Sequence, residues 1–489
     1  MFFQNFIAKQ MALPILLRFA KCAPWPWYND LLSLDKADGD ALRKRQWDSL
    51  KLIIEYAQAQ VPYYKESFED AGVDSNDLKS KDDLSKIPTI DKKQISANFP
   101  DRITSLESDR DTWQYFATSG TTDRLMVIKD AEATSRNLAL AQYEEILQGT
   151  FAPGNRCVNI PPDACSLSCG VAIRPPKDFL SRVKQSIRAL AERNGSGLSR
   201  SLAGKLLRKI VHRQEEMPSF GTGGTRMDSE TLGWYVEKIG GWKPNILSGL
   251  PTYLQLIARH IEKTGEEPPE IGSILPQGAL STPSLRKELI KTFNVPVHEV
   301  YGGHEFGCVA STCEKLDKMH VLMSGCFVET VKNGKHVAPG ELGEIVLTVF
   351  SNKAMPLIRY RPGDVGRLHS DICSCGRESQ LLTVEGRIQD TMVTSKGIFS
   401  GQAIIEFYAG WSNVQFTQLV QRSDTRCDLL IVEDVQGNTD LKNIAELSTQ
   451  FLGPEMQIRP RIVSTIKPEV SGKFRFVKST SFNKFHKVS

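Results

Sequence analysis

Between residues 42 and 71 the apolar positions Leu50, Leu52, Ile53, Ile54, Tyr56 and Ala57 recur at helical spacing, which predicts a helical opening. The motif Val61-Pro62-Tyr63-Tyr64 is expected to end it. From Pro88 onward short apolar runs alternate with helical patterns. Residues 156–160 form such a run, 245–247 precede a helix over 252–261, and Ile274 precedes another over 283–293. This alternation predicts an α/β domain with largely parallel strands. After Glu341 the chain turns strand-rich, through 343–350 and then the Gly- and Pro-broken 360–366, which reads as a β-rich subdomain. Beyond Gly386-Arg387 lie further strand candidates at 428–432 and 457–463 and helix candidates at 402–409 and 440–451. The fold class expected is α/β. A large N-terminal domain with its β-rich subdomain spans 1–385, and a small mobile α+β lid spans 386–489. Neither an internal repeat nor a low-complexity tract breaks the pattern.

A chain of 489 residues has room for more than one domain and a sizeable core, which excludes small disulfide-stapled folds. Its 61 basic and 57 acidic residues leave a charge of +4, too mild for a nucleic-acid footprint, so no nucleic acid is expected as a partner. Nowhere do ~20 apolar residues follow one another, as a membrane span requires. The apolar run 11–17 is broken by Pro14 and flanked by Lys9, Arg18 and Lys21, unlike a signal peptide. It reads as a helix packed on the body or, with Phe2, Phe3, Phe6 and Ile7, as a weak membrane-surface contact. Ten cysteines without an export signal point to thiols or metal ligands in a reducing compartment, and a cytoplasmic protein is expected. Residues 182–213 carry Lys184, Arg188, Arg193, Arg200, Lys205, Arg208, Lys209 and Arg213. They are either the solvated faces of two helices or a surface for cofactor phosphates, anionic lipid or an acidic carrier protein.

Several segments carry chemistry. Tyr115-Phe116-Ala117-Thr118-Ser119-Gly120-Thr121-Thr122 is a strand-like run ending in a turn whose hydroxyls and freed N–H groups can wrap phosphate oxygens. It lacks the spacing of a Walker A loop. Tyr301-Gly302-Gly303-His304-Glu305 follows the strand-like 297–300 and offers a flat ring to a purine and a carboxylate to Mg²⁺. His304 is either a general base or part of the pocket wall, and activating a carboxylate needs no base, because the acid is already ionised at neutral pH. Tyr360-Arg361-Pro362-Gly363-Asp364 sets an acid on a rigid turn, where it can accept two ribose hydroxyls. Gly386-Arg387 and Ser471-Gly472-Lys473 supply cations, the latter on a mobile turn. Cys313-x6-His320 and Cys373-x-Cys375 offer three thiols and an imidazole, enough for a closed zinc site if two hairpins meet, and otherwise are buried thiols. Cys308 is an alternative to Cys313, and Cys165-x3-Cys169 is a rival pair.

In order and spacing, Thr118-Ser119-Gly120-Thr121-Thr122, Tyr301-Gly302-x-x-Glu305, Tyr360-x-x-Gly363-Asp364, Gly386-Arg387 and Ser471-Gly472-Lys473 resemble the adenylate-forming superfamily of acyl-CoA synthetases, luciferases and adenylation domains. The resemblance covers nearly the whole chain. Val61-Pro62-Tyr63-Tyr64, Met355-Pro356-Leu357-Ile358-Arg359-Tyr360 and Cys373-Ser374-Cys375-Gly376-Arg377 resemble its phenylacetate-CoA ligase branch. The resemblance implies ATP, Mg²⁺ and coenzyme A as cofactors and a small carboxylic acid, an aryl acid favoured, as substrate. It implies that Ser119 to Thr122 grip phosphates, Gly278 and Ala279 line the adenine, and Tyr301 stacks on it. By the same likeness Glu305 binds Mg²⁺, Asp364 the ribose and Arg387 the ribose or phosphate, while Lys473 bridges the substrate carboxylate and the α-phosphate. Zinc sites in that branch imply a structural zinc on Cys313, His320, Cys373 and Cys375. Two departures stand out. Asp123-Arg124-Leu125 replaces Gly-Lys-Pro, and Gln389 takes the hinge-acid position. A carrier-protein thiol, an amine or a sugar hydroxyl is open as the acceptor, a catalytically silent binding relative is open as another class, and a homodimer is open as the assembly.

Overall fold

The computed structural model describes residues 24–35, 37–117, 125–150, 155–161, 214–218, 225, 227–469 and 472–487. The expectations built on residues 11–17, 118–124, 165–169 and 182–213 lie outside the described residues. The helical opening is there as two helices. Gly39–Gln60 is capped by Asp38, whose carboxylate accepts from the backbone of Asp40 at 2.8 Å, and it buries Leu50, Ile53, Ile54 and Ala57 on one face. Val61-Pro62-Tyr63-Tyr64 does not end the helical region. Pro62 lacks an N–H, which suits the first turn of a helix, and it starts a second one, Pro62–Ala71. Tyr64 explains the rest of that motif: its hydroxyl donates to the Pro356 carbonyl at 3.0 Å and accepts from Ile358 N at 3.1 Å, pinning the helix pair to the strand region behind it.

The α/β expectation holds. Four strands, Gln214–Glu216, Cys157–Ile160, Ile246–Gly249 and Ser273–Pro276, lie side by side in that order, all parallel. Helices Ser229–Trp242, Pro251–Thr264 and Pro283–Phe293 share one apolar core with them through Ile239, Leu254, Ile257, Leu289 and Leu247. A run such as Ile246–Gly249 is buried throughout, as a sheet covered on both faces requires. The β-rich part is a nine-stranded sheet that includes the fully buried Gly343–Val349. The expected 360–366 segment is split between two of its strands, Leu357–Tyr360 and Asp364–His369. Near the C-terminus a separate four-stranded sheet runs Gln457–Ile462, Arg426–Glu433, Val414–Gln421, Val477–Lys478, with helices Gly401–Ala409 and Leu441–Leu452. Ile404, Leu429, Ile431, Ile444 and Leu452 give it a core of its own, while Phe416, Val432 and Ile466 join the core of the parallel sheet. Among the described residues no helix is long and apolar enough to cross a membrane.

One buried ion pair joins two strands of the large sheet, Leu357–Tyr360 and Cys326–Lys332, and ties them to the segment that follows the helical opening. Arg359, with a left-handed backbone at φ 46°, sends its guanidinium to both oxygens of Glu329 at 3.1 and 3.0 Å and to the carbonyl of Ile87 at 2.6 Å. Both side chains are almost wholly buried. A buried pair adds little over a well-packed apolar pair, but removing one partner leaves an uncompensated charge. Glu329→Gln is therefore expected to lower the unfolding free energy by about 3–5 kcal/mol in denaturant titration. The exposed pair Lys291–Glu262, broken by Lys291→Ala, is expected to cost less than about 1 kcal/mol. Equal losses in the two variants would show that the Arg359 network is dispensable.

Candidate functional site

The site forms where the large sheet, the end of the parallel sheet and the C-terminal unit meet. Asp364 opens its strand directly opposite Arg387, the last residue of Leu381–Arg387, because the two strands are antiparallel in that register. Arg387 Nη1 accordingly donates to Asp364 Oδ1 at 2.8 Å, and the Tyr301 hydroxyl, from strand Val300–Gly303, donates to Oδ2 at 2.8 Å. Burial, with the Asp364 charge added, holds the Tyr301 hydroxyl protonated well above the usual tyrosine range. The Asp364 charge also pushes the Arg387 guanidinium still higher.

Glu305 follows the strand Val300–Gly303, which begins and ends later than the expected 297–300. Its Oε1 accepts from the Tyr360 hydroxyl at 3.2 Å and lies 3.4 Å from Lys92 Nζ. A side chain at Gly303 would come within 3.0 Å of Glu305 Oε2 and 2.7 Å of the Phe306 ring, so the glycine leaves that oxygen room. A hard carboxylate oxygen with space beside it fits Mg²⁺. His304, next in chain, has its pKa lowered by burial.

Lys473 reaches the same place from the C-terminal unit. Its Cε lies 3.9 Å from where a Cβ on Gly278 would stand, and Gly278-Ala279 follow the parallel strand Ser273–Pro276. Burial, then the charges of Arg387 and Lys92, lower its pKa, against the pull of Asp364 and Glu305. A tight turn presents it: Gly472 N donates to the Glu469 carbonyl and Glu469 N to the Lys473 carbonyl, both at 2.8 Å. Arg475 then reaches back to the turn Ile388–Asp390, with Nη2 on the Gln389 carbonyl at 2.8 Å and Nε on the Asp390 carboxylate at 2.5 Å. Gln389 makes this contact through its backbone, which any residue there could do.

Tyr301, Gly302, Glu305, Asp364, Arg387, Gly278, Ala279 and Lys473 are thus brought to one region, and Thr118, Ser119, Gly120, Thr121 and Thr122 lie outside the described residues. Strand Gln114–Ala117 ends and strand Met126–Lys129 begins on either side of them as an antiparallel pair. Sequence reasoning missed Lys92. Its only local signal is the capping box Asp91…Gln94 that starts its helix, and what aims it is tertiary: Ile90 pairs with Tyr360 across the sheet edge.

The cysteine hairpins also meet. The ligand atoms of Cys313, His320, Cys373 and Cys375 all lie within 4.8 Å of one another. Cys313 and Cys373 sulfurs are 3.7 Å apart, and Cys375 Sγ is 3.5 Å from His320 Nε2. Backbone N–H groups of Lys315 and Arg377 donate to Cys313 and Cys375 sulfur, and His320 Nδ1 is held by Ser379 Oγ at 2.7 Å. Three thiols and one oriented imidazole are the donor set of a closed zinc site. Cys308 does not substitute for Cys313, because it packs instead against Ala139, Leu140 and Leu147.

Residues 392–480 match the model of the CapK C-terminal domain. Phenylacetate-coenzyme A ligase from Thermus thermophilus is 23% identical over 384 residues, covering 74% of this chain and 73% of that protein. The chain is a homologue of the phenylacetate-coenzyme A ligases. Protein CapK from Staphylococcus aureus is 26% identical over 259 residues, 51% of this chain and 56% of that one. The crystal structure of 2-hydroxyisobutyryl-CoA ligase in the postadenylation state, in complex with R3-HIB-AMP, covers 90% of each chain at a TM-score of 0.65 and 18% identity. The fold shared by this homologue of the phenylacetate-coenzyme A ligases is therefore that of the adenylate-forming ligases.

Gly307 shows how tightly the loop after Glu305 is built. Its φ is +73°, and a Cβ there would stand 2.1 Å from Asn137 Oδ1. Gly307→Ala is expected to cost at least about 1–2 kcal/mol for the left-handed backbone alone. The overlap with the Asn137 side chain adds to that. A lowered Tm in thermal unfolding is the expected result, and an unchanged Tm would refute it.

Proposed function

We propose that the protein is an ATP-dependent acid–coenzyme A ligase that activates a small carboxylic acid as its acyl-adenylate and passes the acyl group to the coenzyme A thiol. The observation that carries this reading is the convergence of Lys473, Glu305, Asp364 and Arg387, from three separate parts of the chain, beside Gly278. Tyr301 and Gly278-Ala279 would flank the adenine and Asp364 would accept the ribose hydroxyls. Arg387 would hold the ribose or α-phosphate, and the turn Thr118 to Thr122 the remaining phosphates. Glu305 would hold Mg²⁺, which supplies positive charge against the leaving pyrophosphate. An anionic acid approaching an anionic triphosphate meets repulsion, and Lys473, placed between them, offsets it as the carboxylate oxygen attacks the α-phosphorus. Pyrophosphate leaves, and the thiolate of coenzyme A then displaces AMP. The unit after Arg387, joined through Ile388–Asp390, would act as the lid dividing 386–489 from 1–385. The free thiols fit a cytoplasmic workplace. A silent binding relative would have no reason to gather these charges around one carboxylate pair.

Carboxylate-dependent exchange of pyrophosphate into ATP tests the reading. Lys473→Ala is expected to slow it by ~10²-fold or more, the scale of losing one oriented electrostatic contact. Thioester formation from supplied acyl-adenylate should be far less affected. Equal losses in both half-reactions would make Lys473 structural. Absence of exchange across a broad acid screen, with no ATP binding, would overturn the ligase assignment.

The cysteine cluster would hold one structural zinc per chain, since four protein ligands leave no open position for catalysis. Metal analysis of protein purified without chelator is expected to find one zinc, and its removal to lower Tm, because binding energy at a closed site is folding energy. Metal-free protein of unchanged Tm would sink the assignment.

A further inference from the structure

Lys473 and helix Gly401–Ala409 ride on one body. Ile404 and Tyr408 of that helix share a core with Leu419 and Val477. The segment after Lys473 is bound to strand Val414–Gln421, where Leu419 N donates to the Phe476 carbonyl at 2.9 Å and Gln418 Nε2 to the Arg475 carbonyl at 2.6 Å. The same helix also meets the rest of the chain. It starts at the joint Ile388–Asp390: a Cβ on Gly401 would lie 3.5 Å from Asp390 Cβ, and the preceding Ser400 donates to Glu385 Oε2 at 2.6 Å. Roughly 9 Å further along the helix axis, Glu406 crosses to helix Pro283–Phe293 of the parallel-sheet region. Its Oε1 accepts from Ser284 N at 2.9 Å and from Ser284 Oγ at 2.6 Å.

A carboxylate suits that place. Ser284 stands in the first turn of its helix, where backbone N–H groups have no partner within the helix and the dipole is positive. The helix has a start of its own without Glu406, because Pro283 opens it and the Thr282 hydroxyl caps it, accepting from Leu285 N at 3.4 Å. What Glu406 adds is a charged contact between two units on either side of a joint. A rotation about Ile388–Asp390 that withdraws Lys473 from Gly278 carries helix Gly401–Ala409 along, since both belong to the same body, and takes Glu406 off Ser284. We propose that Glu406 is a positioning residue for adenylation: docked on Ser284, it holds the small unit in the orientation that places Lys473 in the site, and it lets go for the thiol step. This rests on the ligase reading and deepens it by naming what holds the lid.

The test compares two rates within each variant, carboxylate-dependent pyrophosphate exchange and thioester formation from supplied acyl-adenylate. Each rate follows the population of one orientation, so their ratio follows the equilibrium between the two, whichever dominates. Glu406→Ala is expected to lower the ratio of exchange to thioester formation by about tenfold, the scale of one charge-assisted hydrogen bond. Glu406→Gln keeps an acceptor without the charge and should fall between. Glu406→Lys sets a cation at the positive end of a helix and should lower the ratio further than Ala. Loss of folded protein lowers both rates and leaves the ratio in place, so a merely structural role does not mimic the effect. A ratio unchanged in Glu406→Ala, or lowered no further by Glu406→Lys, overturns the proposal and leaves the ligase reading intact. If no acid supports exchange and no ATP binds, the ligase reading is gone and the orientation is read directly, from acetic anhydride labelling of the half-buried Lys473 amine against that of the exposed Lys442. Faster relative labelling of Lys473 in Glu406→Ala keeps the latch, and unchanged labelling overturns it as well.

Discussion

The carboxylate of Asp364 is nearly buried, and a charge in that position is tolerated only while both its oxygens are satisfied, here by the Tyr301 hydroxyl and the Arg387 guanidinium. Arg387 comes from the strand beside that of Asp364 and Tyr301 from the strand at the sheet's edge, so the requirement fixes strand Val300–Gly303 and the end of Leu381–Arg387 relative to each other. It reaches further along the chain. Ile388 N donates to the Gly363 carbonyl at 2.9 Å, Arg475 grips Gln389 and Asp390, and the turn that presents Lys473 lies two residues before Arg475. One buried acid thereby sets the frame in which a lysine from a separate unit reaches the large one.

The same region is crowded with cations. Lys92, Arg387 and Lys473 stand near the site carboxylates Glu305 and Asp364, and the pKa of Lys473 is depressed by burial first and then by repulsion from Arg387 and Lys92. A cation whose folded pKa is depressed costs stability at neutral pH, a cost that shrinks as pH rises toward its unfolded value. Anions bound there remove the repulsion instead, so binding of a polyanionic nucleotide and stability of the closed arrangement are linked by the same charges. Preorganised positive charge in a partly desolvated site is what a reaction between two anions requires.

Much of this was legible in the sequence where the physics is local. Helix Pro283–Phe293 coincides with the expected 283–293, its ends fixed locally by the Thr282 cap and the left-handed Asn294, and the parallel strands Cys157–Ile160 and Ile246–Gly249 lie in the expected short, mainly apolar runs, whereas the polar Gln214–Glu216 gave no such signal. Strand Val414–Gln421 was not, because Gln418 and Gln421 are polar yet buried, satisfied by the Arg475 carbonyl and by Ser479, Thr480 and Ser481. Lys92 and the Arg359–Glu329 pair were equally silent, since their meaning depends on what distant segments bring beside them. Five motifs read in order reached the candidate site only through a family resemblance; spacing alone does not say that residue 473 meets residue 278.

The cysteine cluster, although distant in sequence from the lysine turn, bears on the same frame. Cys375 ends a hairpin that leads into strand Leu381–Arg387, and Leu381 pairs with His320, itself one of the four ligands. Arg377, between them, binds Asp35 at 2.8 Å, and Asp35 also accepts from the Tyr143 hydroxyl at 2.6 Å on helix Ala131–Leu147. One end of a seven-residue strand is therefore clamped by the cluster and its salt bridge, and the other end carries Arg387 to Asp364. A hydrogen-bonded strand in the interior of a sheet has little freedom to slide, because a shift of one residue would turn every side chain to the opposite face. Fixing the cysteine end thus fixes the register that puts Arg387 opposite Asp364, and a structural metal there would act on the site through geometry alone.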